Sequence, residues 1–303
     1  MSLFKKIMHT LLLISGALAL VGLIGYGLFR WNTAADLVTS KGPLPVDFPK
    51  DGFSHATLED LLVRYVDAAG QVDYEGWSAS SADLAQLDHY VAAVAAYSPE
   101  NAPERFPGAT DGLLYWVTAY NALVIKSVLD HWPLESVQDL KAPVEIVKGL
   151  GFFYKQRFVL GGEHYNLYQI ENLKIFGGEV DPRIHFILNC GSGGCPILRP
   201  HLPGGDQLDP FLDQAARDFL DRPENLTIDH SQKTMVLSEI FEMYEEHFLT
   251  AARAQTQNSE AQIVDYLSLV ASPEQVTELK RARDYKIKFA EYDWSINKAE
   301  GRR

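Results

Sequence analysis

Cysteine is scarce in this chain: 303 residues hold two, Cys190 and Cys195. Their spacing fits none of the common zinc patterns, so no metal centre is expected, and nothing in the sequence asks for another cofactor. Positive charge is also short, with 27 Lys and Arg against 40 Asp and Glu and a formal net charge of −13. Nucleic acid is thereby excluded as a partner class, and no basic patch is available for an anionic membrane surface. Internal repeats and low-complexity segments are absent. A hydrophobic content of 47% and a charged content of 22% are those of an ordinary folded domain with a sizeable core.

One stretch lacks charge altogether. Residues 8–29 (MHTLLLISGALALVGLIGYGLF) contain no Asp, Glu, Lys or Arg and follow Lys5-Lys6. That length spans a bilayer as a helix, and positive charge ahead of it keeps the N-terminus in the cytoplasm. Residues 1–30 are therefore expected to be a signal anchor, favoured over a cleaved signal peptide because the apolar run continues past Ala17-Leu18-Ala19. Residues 31–52 read as a linker, and residues 53–303 as an exported domain that meets an oxidising space, the periplasm in a Gram-negative cell, or that is secreted if the segment is cleaved. The membrane is the expected partner through the N-terminal helix; a small-molecule or peptide ligand is left open.

The chemistry concentrates in residues 181–200, DPRIHFILNCGSGGCPILRP. Residues 184–189 form a β-branched and aromatic run that reads as a buried strand. Strand parity would point His185 away from Cys190, while Cys195, beyond a flexible loop, could fold back to either. Gly191, Ser192, Gly193 and Gly194 permit an anion-binding concavity of backbone amides. Pro196 suits the first turn of a helix, which would put Cys195 where a thiolate is stabilised. Three uses stay open: a structural disulfide, a nucleophile, or metal or redox chemistry.

Elsewhere the patterns are mostly those of packing. Thr57-Leu58-Glu59-Asp60 has the form of a capping box ahead of a helix running to about Ala69, and a second helix covers residues 83–97. Residues 111–131 are apolar on nearly every side and mark a central buried helix, with Asn121 and Tyr120 either bridging backbone or lining a site. Residues 155–160 and 163–167 flank Gly161-Gly162 as a hairpin. Residues 168–176 follow as a helix in which Glu171 sits between core positions, a candidate orienting carboxylate or a solvated charge. A second hairpin is expected at residues 226–228 and 234–237, then a helix capped by Ser238, two further helices and a strand at residues 285–289. His131, His230 and His247 read as surface or cap residues. The expected fold is α+β, a single mixed domain with a central buried helix and a mainly antiparallel sheet, of which papain-like and transglutaminase-like folds are natural examples.

Several stretches together resemble the domain of unknown function 547 family: residues 115–123 (YWVTAYNAL), 167–172 (LYQIEN), 181–186 (DPRIHF), 189–192 (NCGS), Cys195-Pro196 and 292–297 (YDWSIN). The likeness runs from about residue 100 to the end; Ile296 stands where the family more often has leucine. It implies a shared fold and exported or membrane-attached bacterial members, and carries no reaction. Two functions follow from the residues themselves. The first is a cysteine-nucleophile hydrolase or acyltransferase on an amide or ester. Cys195 attacks, His185 is the base, Asp293 or Glu171 orients it, and Asn121 with the loop amides holds the oxyanion. The alternative is a non-enzymatic binding or scaffold domain with a Cys190–Cys195 disulfide.

Overall fold

A computed structural model of the chain describes residues 36–39, 42–142, 149–178 and 181–299. The expected membrane segment, residues 8–29, lies outside the described residues. The rest is one mixed domain of helices and two small sheets around a continuous apolar core.

The first half is helical: α1 (Ala56–Tyr65), α2 (Tyr74–Ala79), α3 (Ser81–Ala96) and α4 (Asp111–Asp130). In α4 every residue from position 114 to 129 is buried. By length and composition it could cross a membrane, but here it is the axis of the core. Its one basic residue, Lys126, is matched by Asp130 and by Asp88 at 3.2 Å, so the charge is not left alone inside. The capping box expected at Thr57 is not used. The helix starts earlier with His55 at the N-cap, and the His55 ring instead meets the Tyr90 hydroxyl at 2.7 Å.

Strands β1 (Asp36–Val38), β2 (Gln156–Leu160) and β3 (Glu163–Tyr165) form one sheet, and β4 (Leu226–Asp229), β5 (Thr234–Leu237) and β6 (Lys286–Phe289) the other. Each sheet has one antiparallel and one parallel pair, so the mainly antiparallel sheet expected from the sequence is replaced by two mixed ones. The antiparallel pairs are the hairpins, set by local turn chemistry; the glycine turn has positive φ at both Gly161 and Gly162. The parallel partners come from far along the chain, and β1 lies inside the segment expected to be a linker. α5 (Leu208–Leu220) leads to the second sheet, and α6 (Ile240–Met243), α7 (Glu245–Thr256), α8 (Ile263–Val270) and α9 (Pro273–Arg281) connect β5 to β6.

The strand expected at residues 184–189 does not form. Asp181 caps a 3₁₀ helix, Pro182–Phe186, by accepting from the Arg183 amide at 2.9 Å, with Pro182 in its first turn. Arg183 is pinned by Asp181, Asp209 and Asp213 at 2.6–2.7 Å. Beyond it the chain is irregular yet buried, so its backbone groups need partners that no sheet supplies. Three buried asparagines supply them. Asn121 on α4 donates to the Ile187 carbonyl (3.0 Å) and accepts from the Asn189 amide (2.9 Å). The Asn189 side chain donates to the Pro196 carbonyl (2.8 Å) and accepts from the Gly191 amide (2.9 Å). Asn297 joins from the C-terminal segment: its amide nitrogen reaches Asn189 Oδ1 (3.3 Å), and its oxygen accepts from the Tyr74 hydroxyl (3.0 Å).

Truncating Asn121 leaves one buried carbonyl and one buried amide without partners, each costing about 1–3 kcal/mol. Asn121→Ala is expected to lose about 2–5 kcal/mol of unfolding free energy in urea melts. An unchanged midpoint would show that the clamp is dispensable.

Candidate functional site

The irregular segment opens onto a cavity of about 630 Å³. Cys190 and Cys195 line it, joined as a disulfide with Cα atoms 6.2 Å apart. Cys190 is half-buried, and Cys195 is 9% exposed. Gly191 (φ +84°) makes the turn that lets the two meet. Gly194 has a different reason: a Cβ there would stand 2.9 Å from the Tyr292 ring, which lies against the loop.

Two donors face the sulfurs, with the Ser192 hydroxyl beside them. The Cys190 amide donates to Cys195 Sγ (2.9 Å). The Tyr292 hydroxyl is 3.2 Å from Cys190 Sγ and 3.1 Å from Cys195 Sγ. Ser192 Oγ lies 3.0 Å from Cys190 Sγ and 3.4 Å from Cys195 Sγ, and donates to Tyr292 at 3.1 Å. Burial raises the Tyr292 pKa. With Ser192 donating to it, the Tyr292 proton is directed at sulfur.

Facing this group are His185 and His247, with Nε2 of the first 2.9 Å from Nδ1 of the second. The His185 ring lies between Phe176 (centroids 4.2 Å) and Tyr244 (4.0 Å). Burial, then the neighbouring imidazole, holds His185 well below the usual imidazole value, and burial lowers His247. Glu171 lies in a π-helical turn, Ile170–Ile175, and accepts from the Tyr244 hydroxyl (2.6 Å) and the Tyr120 hydroxyl (3.2 Å). Burial raises its pKa against the pull of those two bonds.

The site thus unites Cys190, Cys195, His185 and Glu171 and leaves other expected members aside. The strand parity that would separate His185 from Cys190 does not apply, because the segment is a helical turn followed by irregular chain. Asp293 accepts from the Ser295 amide (2.9 Å) and hydroxyl (2.6 Å) at an exposed position and does not line the cavity that His185 lines. Asn121 is a backbone clamp and does not line the cavity. Three of the loop amides expected to face an anion donate within the protein: Gly191 to Asn189, Gly193 to the Ser295 carbonyl (2.7 Å) and Gly194 to the Asp293 carbonyl (2.8 Å). Among the described residues, no three His, Cys, Asp or Glu side chains converge to hold a metal ion.

His247, Tyr244 and Tyr292 are site residues that sequence reasoning misses, while Tyr120, named there with Asn121, does line the cavity. The sequence suggests a surface position for His247, yet it follows Tyr244 by three positions, a spacing that puts both on one helical face. The helix expected from Ser238 breaks at Tyr244 into α6 and α7, and both side chains, half-buried, line the cavity. Tyr292 opens the 292–297 motif, which marks the residue without revealing its role.

Residues 108–220 match the model of a family described as a protein of unknown function, DUF547. No curated protein and no solved structure matches the chain.

The histidines set a pH dependence. Below their ordinary value of about 6.5 the unfolded chain binds more protons than the folded one, so stability falls as pH drops through that window. Glu171, raised in the fold, acts with the opposite sign just above its ordinary value of 4.5. In urea melts between about pH 7 and about pH 5, His185→Gln is expected to lose less stability than the native chain. Equal losses would refute a neutral buried imidazole.

Proposed function

We propose that the domain is an exported, membrane-anchored thiol–disulfide exchange module whose working groups are Cys190 and Cys195. The observation that carries this reading is the placement of both sulfurs on a substrate-sized cavity within reach of Tyr292, Ser192 and the Cys190 amide. A substrate thiolate attacks the more accessible Cys190 Sγ, the Cys190–Cys195 bond breaks, and Cys195 leaves as a thiolate. The Cys190 amide and the Tyr292 hydroxyl stabilise that leaving sulfur. A second thiolate of the substrate then attacks the substrate sulfur of the mixed disulfide and releases Cys190. The substrate gains a disulfide, and the protein holds two thiols and the two electrons. His247, neutral and half-buried on the same cavity, is suited to take a thiol proton.

This reading fits the site better than a hydrolase or acyltransferase with Cys195 as nucleophile. Among the described residues neither sulfur is hydrogen-bonded to an imidazole, and the Gly191, Gly193 and Gly194 amides that would form an oxyanion site are engaged. One observation favours the scaffold alternative: the loop is stitched to the C-terminal segment through Gly193, Gly194 and the Asn297 amide, which donates to the Gly191 carbonyl (3.1 Å). There the disulfide would only pin that seam.

Reduction kinetics separate the two. With exchange, a small thiol reduces the native protein without unfolding it, and the Cys190 thiolate of Cys195→Ala, given the corresponding small-molecule disulfide, attacks it, releases one of its two halves as a thiolate and stays trapped as a mixed disulfide. Tyr292→Phe, which removes a hydrogen bond to the departing thiolate, slows reduction about ten- to a hundredfold. A bond that opens only when the protein unfolds leaves the scaffold reading.

A further inference from the structure

The cavity that holds the disulfide is chemically one-sided. Glu171 lies in its wall, and Glu242, Glu245 and Glu246 stand at its exposed lip, where α6 gives way to α7. Among the described residues that line it there is no Lys or Arg. Arg253 meets Glu246 at 3.3 Å, but both side chains are exposed and such a pair is worth little. His185 and His247 share a hydrogen bond in which one ring nitrogen must accept, so they do not supply two compensating charges.

The remaining wall is aromatic. Tyr154 and Tyr168 stack at 4.6 Å, and Phe153, Tyr292 and Trp294 add further ring surface. Tyr168 (44% exposed) and Met243 (42%) leave apolar surface open at the rim. Ring faces attract cations, and a concave wall carrying one sign of charge focuses its field on what enters. An anionic thiol approaching the sulfurs crosses that field at a cost, whereas one bearing an ammonium or guanidinium group does not.

We propose that the cavity selects cationic thiols: substrates that carry an ammonium or guanidinium group together with the sulfur they exchange. The proposal rests on the exchange reading of the same site and adds its substrate class. Positive charge on the substrate meets the lip glutamates first and then the aromatic wall, which brings the thiolate to Cys190.

Three small thiols test this on the intact exported domain: cysteamine (cationic), 2-mercaptoethanol (neutral) and 3-mercaptopropionate (anionic). Second-order rates of reduction are corrected for the fraction of each thiol ionised, and the same rates are measured on a flexible, uncharged peptide disulfide. At low salt the ratio of the cysteamine rate to the 3-mercaptopropionate rate is expected to be about tenfold or more larger for the protein than for the peptide. That excess should collapse at high salt and in the triple variant Glu242→Gln, Glu245→Gln, Glu246→Gln. Should that variant not fold, the salt dependence of the native chain still decides. A ratio equal to that of the peptide disulfide, or a preference for the anion, overturns charge selection and leaves exchange standing. Failure of all three thiols to reduce the folded protein overturns the exchange reading itself.

Discussion

Everything near the disulfide depends on how buried, irregular backbone is satisfied. Residues 187–196 are largely buried and belong to no sheet; beyond one antiparallel bridge, Ser192 with Ile296, asparagine amides replace the missing ladder. Because Asn121 sits in the buried stretch of α4, the segment is anchored to the central element of the core. Asn297 extends the same network to the C-terminal residues, and these return Tyr292 to the sulfurs. A polar network of this kind is costly if any member is missing and specific when complete. Here it fixes where Cys190 begins and where Pro196 ends, and so fixes the reach of the loop between them.

Local features of the fold are legible in the sequence. The hairpin around Gly161-Gly162 and the all-round apolar character of α4 are short-range signals, decided by turn chemistry and composition within one element. Strand pairing across long separations is not, since neither β1 with β2 nor β5 with β6 leaves a local trace. The 184–189 run shows a sharper limit. Its β-branched and aromatic residues satisfy a strand template, but Asp181 and Pro182 start a tight helical turn, and Asn121, on a helix far earlier in the chain, accepts what a neighbouring strand would have taken. Tertiary partners override propensity.

The site is legible as a neighbourhood and not as a mechanism. Cys190, Cys195, His185 and Glu171 do line one cavity. Their partners are the hidden part: His247 for His185, two tyrosines for Glu171, and Tyr292 for the sulfurs. Tyrosines in an apolar pattern look like core, and only the position of the hydroxyl shows that Tyr120 and Tyr244 hold a carboxylate. Side-chain parity at His185 and Cys190 fails for the same reason as the strand on which it stands.

The donors around the sulfurs also bear on the exchange proposed for this bond. A disulfide serving only as a staple needs no hydrogen-bond donor, because a neutral sulfur accepts weakly. Tyr292 is buried, holds its proton, and receives one bond from Ser192, so its own hydrogen has no better acceptor than sulfur. That arrangement gains most when the sulfur becomes a thiolate, since bonds to a charged acceptor are roughly twice as strong. The same donors that are weakly used in the oxidised protein are therefore preorganised for the reduced one. Burial of Tyr292 and Ser192 keeps water from competing for either role, which makes the difference between the two states larger than it would be at the surface.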